Sequence, residues 1–109
     1  MDAVFRALAD PTRRSLLDRL TDDNGQTLGE LCRNLEVSRQ AVSKHLNILE
    51  EANLVVTRWS GREKRHYLNP VPIQEISDRW ISRFAADRVA AITALKNALE
   101  KNALEEDDE

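Results

Sequence analysis

Cysteine is nearly absent from this sequence: Cys32 stands alone among 109 residues. A lone cysteine forms no intramolecular disulfide, so nothing points to an oxidising compartment. Histidine is almost as scarce, with only His45 and His66. A thiolate at Cys32 therefore lacks visible partners for a tetrahedral metal site, and neither a metal nor a cofactor is expected. Three glycines leave no phosphate-cradling loop, and no nucleophile with a matching base can be assembled, so catalysis is not expected. Three prolines and 5% aromatics favour a mostly helical chain. No apolar run approaches the length of a signal-peptide core or a membrane span, and the opening MDAVFRALADPTRRSLL is charged. Cytoplasmic residence without a membrane partner is the expectation.

Acidic charge is unevenly spread. The formal net charge is −3, but Glu105, Glu106, Asp107, Asp108 and Glu109 crowd the end and leave +2 on the rest. Between Thr57 and His66 the cations Arg58, Arg62, Lys64 and Arg65 face a single acid, Glu63. A polyanion meets local charge rather than the total.

The length suits one compact core. Val4, Phe5 and Leu8 share one side of a short first helix, and Asp10-Pro11 reads as an N-cap with proline at the first helical position. A second helix spans about Pro11 to Leu20, with Leu16, Leu17 and Leu20 inward. The polar TDDNGQ is a loop, and Leu28, Leu31, Cys32 and Leu35 then repeat at helical spacing. After a fourth helix, VVTRW and KRHYL read as β-strands joined by SGRE, whose glycine permits a tight reversal. From Pro72 a helical pattern runs through Ile73, Ile76, Trp80, Phe84, Ile92, Leu95 and Leu99. It predicts one helix of some 28 residues, roughly 42 Å long. The expected fold is mainly α with a small β-hairpin.

The fourth helix carries the informative pattern. In VSRQAVSKHLNILEEANLV, Ser38 is the N-cap, and Ala41, Val42, His45, Leu46, Ile48 and Leu49 fall within an arc of roughly 160°, the expected buried face. Gln40, Ser43, Lys44 and Asn47 occupy the opposite side, flanked by Arg39, and Glu50 and Glu51 enter only at the far end. An acid-free amide, hydroxyl and ammonium strip near a helix N-terminus suits base edges and phosphates in a major groove. Any solvated helix face can hold such residues. The ordered set of short helix, tight turn, polar-faced helix and basic hairpin tips the balance to a helix-turn-helix with a wing.

Three segments, RALADPTRRSLLDRL, LGELCRNLEVSRQAVSKHLNILEEANLV and GREKRHYLNP, together resemble the winged-helix repressors of the ArsR/SmtB type over about residues 2 to 70. The resemblance implies a bacterial homodimer that binds double-stranded DNA at a near-palindromic, inverted-repeat operator and represses its own operon. It makes Ser38 to Ala52 the recognition helix, with Ser38, Arg39, Gln40, Ser43, Lys44 and Asn47 as DNA-binding residues. The hairpin through Gly61 becomes the wing, with Arg58, Arg62, Lys64 and Arg65 on DNA. Metal-sensing members carry a cysteine pair on the third helix or Asp, His and Glu ligands on the last; ELCRNL and the absence of histidine after His66 resemble members without a metal site.

On this reading residues 1–101 form one DNA-binding and dimerisation domain, and 102–109 an acidic, disordered, solubilising tail. The long last helix has no obvious partner within the chain, so Trp80, Phe84, Ile92 and Leu95, helped by Val4, Phe5 and Leu8, are expected to form a dimer interface. Cys32 is read as a small core residue before a redox sensor. His45 is read as structural, and His66 as structural before phosphate contact. Arg13 and Arg14 anchor either the fold or DNA backbone. A ligand- or redox-responsive repressor and a winged-helix protein-interaction module are the alternatives; the latter calls for apolar residues on the exposed side of the fourth helix.

Overall fold

The structure is a computed structural model that describes the backbone of residues 1–82 and 86–107 and the side chains of 1–82 and 88–103. Its elements run α1 (Asp2–Leu8), α2 (Pro11–Asp22), α3 (Leu28–Cys32), α4 (Arg39–Glu51), β1 (Val55–Ser60), β2 (Glu63–Leu68), α5 (Val71–Trp80) and α6 (Ala86–Asp107). Packing divides the chain into two compact units, Met1–Gln74 and Glu75–Glu109.

The first unit is built on leucine. Leu16 and Leu20 of α2, Leu31 of α3, Val42 and Leu49 of α4, and Leu54 before β1 are the largest fully buried side chains. Each such side chain stabilises the fold by roughly 1.5–3 kcal/mol relative to exposure. Local chemistry sets the helix starts: Asp10, Thr27 and Ser38 accept from the backbone N–H of Arg13, Glu30 and Ala41 as N-caps of α2, α3 and α4. The α4 end is a Schellman turn. Asn53 N–H donates to Glu50 C=O at 3.0 Å and Leu54 N–H to Leu49 C=O at 2.9 Å, with Asn53 in the left-handed region at φ 61°.

The hairpin follows at once, pairing Val55 with Leu68 through Ser60 with Glu63 in antiparallel register. Gly61 stands at φ 64°, the positive value that a tight two-residue reversal needs at its first position. Alternation puts Val55, Thr57 and Trp59 on one face with Leu68, His66 and Lys64, and Val56, Arg58 and Ser60 on the other with Tyr67, Arg65 and Glu63.

The segment after Pro70 differs from expectation. The single long helix is two: α5 ends at Trp80, where Ile81 and Ser82 N–H both bond to Ser77 C=O at 2.7 and 2.8 Å. The second of these is the widened bond that terminates helices, and Ser82 Oγ also reaches the Asp78 carboxylate at 3.2 Å. Helix α6 continues to Asp107, past the boundary expected at residue 101, because Ala103, Leu104 and Glu105 are good helix formers. Ile92, Leu95 and Leu99 on α6 are more than 60% exposed. Phe84 and the side chains of Glu105 to Glu109 lie outside the described residues. No helix among the described residues is long and apolar enough to cross a membrane.

Candidate nucleic-acid interface

Helix α4 turns Val42, Leu46 and Leu49 into the core. Arg39, Gln40, Lys44 and Asn47 are exposed and Ser43 is half-buried, so the polar strip stands on the outward side of a helix whose opposite side is packed. Ser38 is exposed, but its Oγ is occupied by the Ala41 N–H at 3.1 Å. Ile48, expected in the buried arc, is 38% exposed; it sits at the arc's edge, roughly 120° from Val42. No acid, which would repel phosphate, lies among the first eleven residues of α4.

His45 and the arginines of α2 hold this helix in place. Arg13 donates from Nε to Ala7 C=O at 2.7 Å and from Nη2 to Arg6 C=O at 2.9 Å, and its Nη1 lies 3.2 Å from His45 Nδ1. Arg14 Nη1 donates to Leu8 C=O at 2.7 Å. Both guanidiniums thus cap the carbonyl end of α1 and anchor the fold. An arginine cannot accept, so His45 presents Nδ1 as a lone pair and carries its proton on Nε2. The Asp10 carboxylate is 3.9 Å from the same nitrogen. Its N-cap bond from Arg13 holds Asp10 below the ordinary carboxylate range, against an opposing contribution from desolvation, and the Arg13 charge adds to the effect. Arg19 reaches the carbonyls of Leu31 and Arg33 and ties α2 to the turn that precedes α4.

The wing cations fall into distinct environments. Arg65 is committed within the chain: Nη1 donates to Gly25 C=O at 2.9 Å and Nη2 to Glu63 Oε2 at 2.8 Å. It pins the hairpin to the loop before α3 and has little left to offer DNA. Lys64 Nζ stands 3.7 Å from Glu50 Oε1, linking the wing to α4. Arg62 projects at the turn, exposed. Arg58 lies on the opposite face, beside Val56, Tyr67 and Asn69. His66 is buried, 4% exposed, with Nδ1 3.0 Å from Gln26 C=O, and its N–H donates to that same carbonyl at 2.8 Å. Burial in this bridge leaves no room for the phosphate contact considered from sequence.

Between α4 and the hairpin opens a cleft of about 420 Å3, into which Arg39, Ser43 and Asn47 project from one wall and Trp59, Arg62 and Lys64 from the other. Its two acids, Glu50 and Glu63, are partnered by Lys64 and Arg65, so Arg39 and Arg62 leave the cleft positive. Gln40 and Lys44 lie outside it, farther round α4. Sequence reasoning passed over Trp59 as a strand residue; its signal was an indole opposite a lysine next to a turn, a place without core.

Other residues are less concentrated. Cys32 is half-buried, and no group of three or more His, Cys, Asp or Glu side chains suited to a metal gathers among the described residues. Of the apolar set assigned to a dimer face, Val4 is buried with Ala7 in the core of its own chain, Leu8 is half-buried, and Phe5 is 44% exposed. Trp80 is 48% exposed, with the Arg79 guanidinium 5.5 Å above its ring.

Comparison with known proteins gives this geometry a context. Residues 8–58 match the family described as "Helix-turn-helix domain". The HTH-type transcriptional regulator YuzN of Bacillus subtilis is 40% identical over 86 residues, covering 73% of this chain and 94% of the relative. The transcriptional repressor SdpR of the same organism is 34% identical over 84 residues, covering 77% of this chain and 91% of SdpR. Among solved structures, an ArsR-like transcriptional regulator from Rhodococcus sp. RHA1 superposes with a TM-score of 0.68 at 34% identity, over 92% of this chain and 90% of that one. These relatives are regulators, a non-enzymatic class of DNA-binding proteins. With the helix-turn-helix, the hairpin wing and these likenesses together, the chain belongs to the ArsR/SmtB-type family of winged helix-turn-helix transcriptional repressors.

Proposed function

We propose that the chain is a cytoplasmic homodimeric repressor that reads an inverted-repeat operator with α4 and represses its own operon. The observation that carries this reading is the acid-free outward strip of Arg39, Gln40, Ser43, Lys44 and Asn47. Gln40 can pair bidentately with adenine, Lys44 can reach guanine acceptors or phosphate, and Ser43 and Asn47 can serve either. Arg62 and Lys64 at the wing supply phosphate or minor-groove contact. Ser38 contributes through its cap, Arg65 by holding the hairpin, and Arg58 reaches only backbone that wraps round the outer face.

A second copy is called for by α6, whose Val89, Ile92, Leu95 and Leu99 are all exposed. Such a stripe in water favours association, and a two-fold dimer sets two recognition helices about 34 Å apart, one DNA turn. Trp80 in the second unit and Phe5 in the first are further exposed apolar side chains available for pairing. Apolar residues that would suit a protein-interaction module are missing from the α4 strip. SdpR, a relative, is itself a transcriptional repressor.

The test pairs sedimentation with selection of bound duplexes from a random pool. A dimer at micromolar concentration and an enriched inverted repeat are expected, with half-sites bound weakly. Ile92→Asp is expected to give monomer or unfolded chain and to lose tight binding. A stable monomer protecting a full palindrome would sink the proposal.

A further inference from the structure

Trp59 is 71% exposed, more than any other large apolar side chain among the described residues. Tryptophan normally removes most of its surface from water, and one left out beside a binding face marks a contact still to be made. The hairpin register puts Trp59 opposite Lys64, on the face that carries His66. His66 is buried against Gln26, whereas Trp59, farther along β1 and exposed, lines the cleft together with Arg39, Ser43 and Asn47.

With α4 in a major groove and the wing tip in the neighbouring minor groove, the object between them is the sugar–phosphate strand that separates the two grooves. We infer that Trp59 packs its indole on deoxyribose of that strand and donates Nε1–H to an adjoining phosphate oxygen. This rests on the DNA-reading role proposed above. An indole offers apolar faces and one donor with no acceptor; the strand alternates apolar sugar carbons with anionic oxygens. Arg39 and Arg62 supply the positive charge beside Trp59 that draws such a strand in, and the acids there are already paired by Lys64 and Arg65. Every nucleotide presents the same sugar and phosphate, so the contact positions DNA without reading sequence. A wedge between bases would instead favour easily unstacked steps.

The probes are a duplex selected by this protein from a random pool and an unrelated duplex of equal length. Trp59→Ala is expected to weaken both by about tenfold. The slope of log affinity against log salt stays as in wild type, because no cation is removed. Trp59→Phe, which keeps a ring and drops the N–H, loses less. In wild-type protein, bound duplex shields indole emission from acrylamide, and that protection disappears in Trp59→Phe, where Trp80 is the remaining tryptophan. Thermal melting separates a binding loss from a folding loss, and the quenching result stands even if Trp59→Ala does not fold. Full affinity in folded Trp59→Ala, a loss confined to the selected duplex, or unchanged protection in Trp59→Phe would each overturn the inference. If binding still falls with Lys44→Ala, only the Trp59 contact fails; if wild type selects no duplex, the DNA-reading role fails with it.

Discussion

Arg13 of α2 meets His45 of α4 at 3.2 Å, and the same guanidinium holds the last carbonyls of α1. One side chain thus joins the chain's beginning to the helix proposed to read DNA. Arg13→Ala removes charge-assisted bonds to Arg6 and Ala7 carbonyls and is expected to destabilise the fold by about 1.5–3 kcal/mol in urea unfolding. Arg13→Lys recovers little, since a single ammonium cannot span the three acceptors.

Acid should weaken the same junction. Asp10 has a folded carboxyl below its ordinary range, so its contribution is present above the unfolded value and is lost as pH falls through the folded one. In stability measured against pH, Asp10→Asn is expected to flatten the acid limb. An unchanged limb would show that the N-cap carboxylate contributes nothing.

Asn53 tests the link between α4 and the wing. Its φ of 61° strains an ordinary side chain, and Asn53→Ala is expected to cost about 1 kcal/mol by thermal or chemical unfolding, whereas Asn53→Gly costs nothing.

The wing arginines should separate cleanly. Arg62→Ala is expected to weaken selected and random DNA alike and reduce the salt slope by about one unit. Arg65→Ala should act first on the hairpin, lowering melting temperature, because its guanidinium is bonded to Gly25 and Glu63. Equal salt-slope changes in both variants would contradict this division.

Much of this frame was legible in residue order. The α4 arc, the Ser38 cap, the Asp10-Pro11 start and the Gly61 reversal are local signals, and each corresponds to an observed element. The break near Ser82 was not, because Ile76, Trp80 and Phe84 keep helical spacing across it while Ser77 and Ser82 end the helix through hydrogen bonds that periodicity does not register. Arg62, Lys64 and Arg65 are equivalent as charges in a string. Only strand register and the nearness of Gly25 and Glu50 show which are engaged within the chain. Val4 and Phe5 share a helical stripe, yet α1 packs on α2 and α4 with Val4 inward and Phe5 outward, a choice made by tertiary packing.

The most direct measurement is the affinity of wild-type protein for its best selected duplex against a scrambled one, at fixed salt, repeated for Gln40→Ala and Lys44→Ala. Specific binding is expected to exceed nonspecific binding by about 1,000-fold or more. Each substitution should remove about 1–3 kcal/mol at the bases it reads. Equal affinity for both duplexes, or discrimination untouched by either substitution, would contradict recognition by the α4 strip.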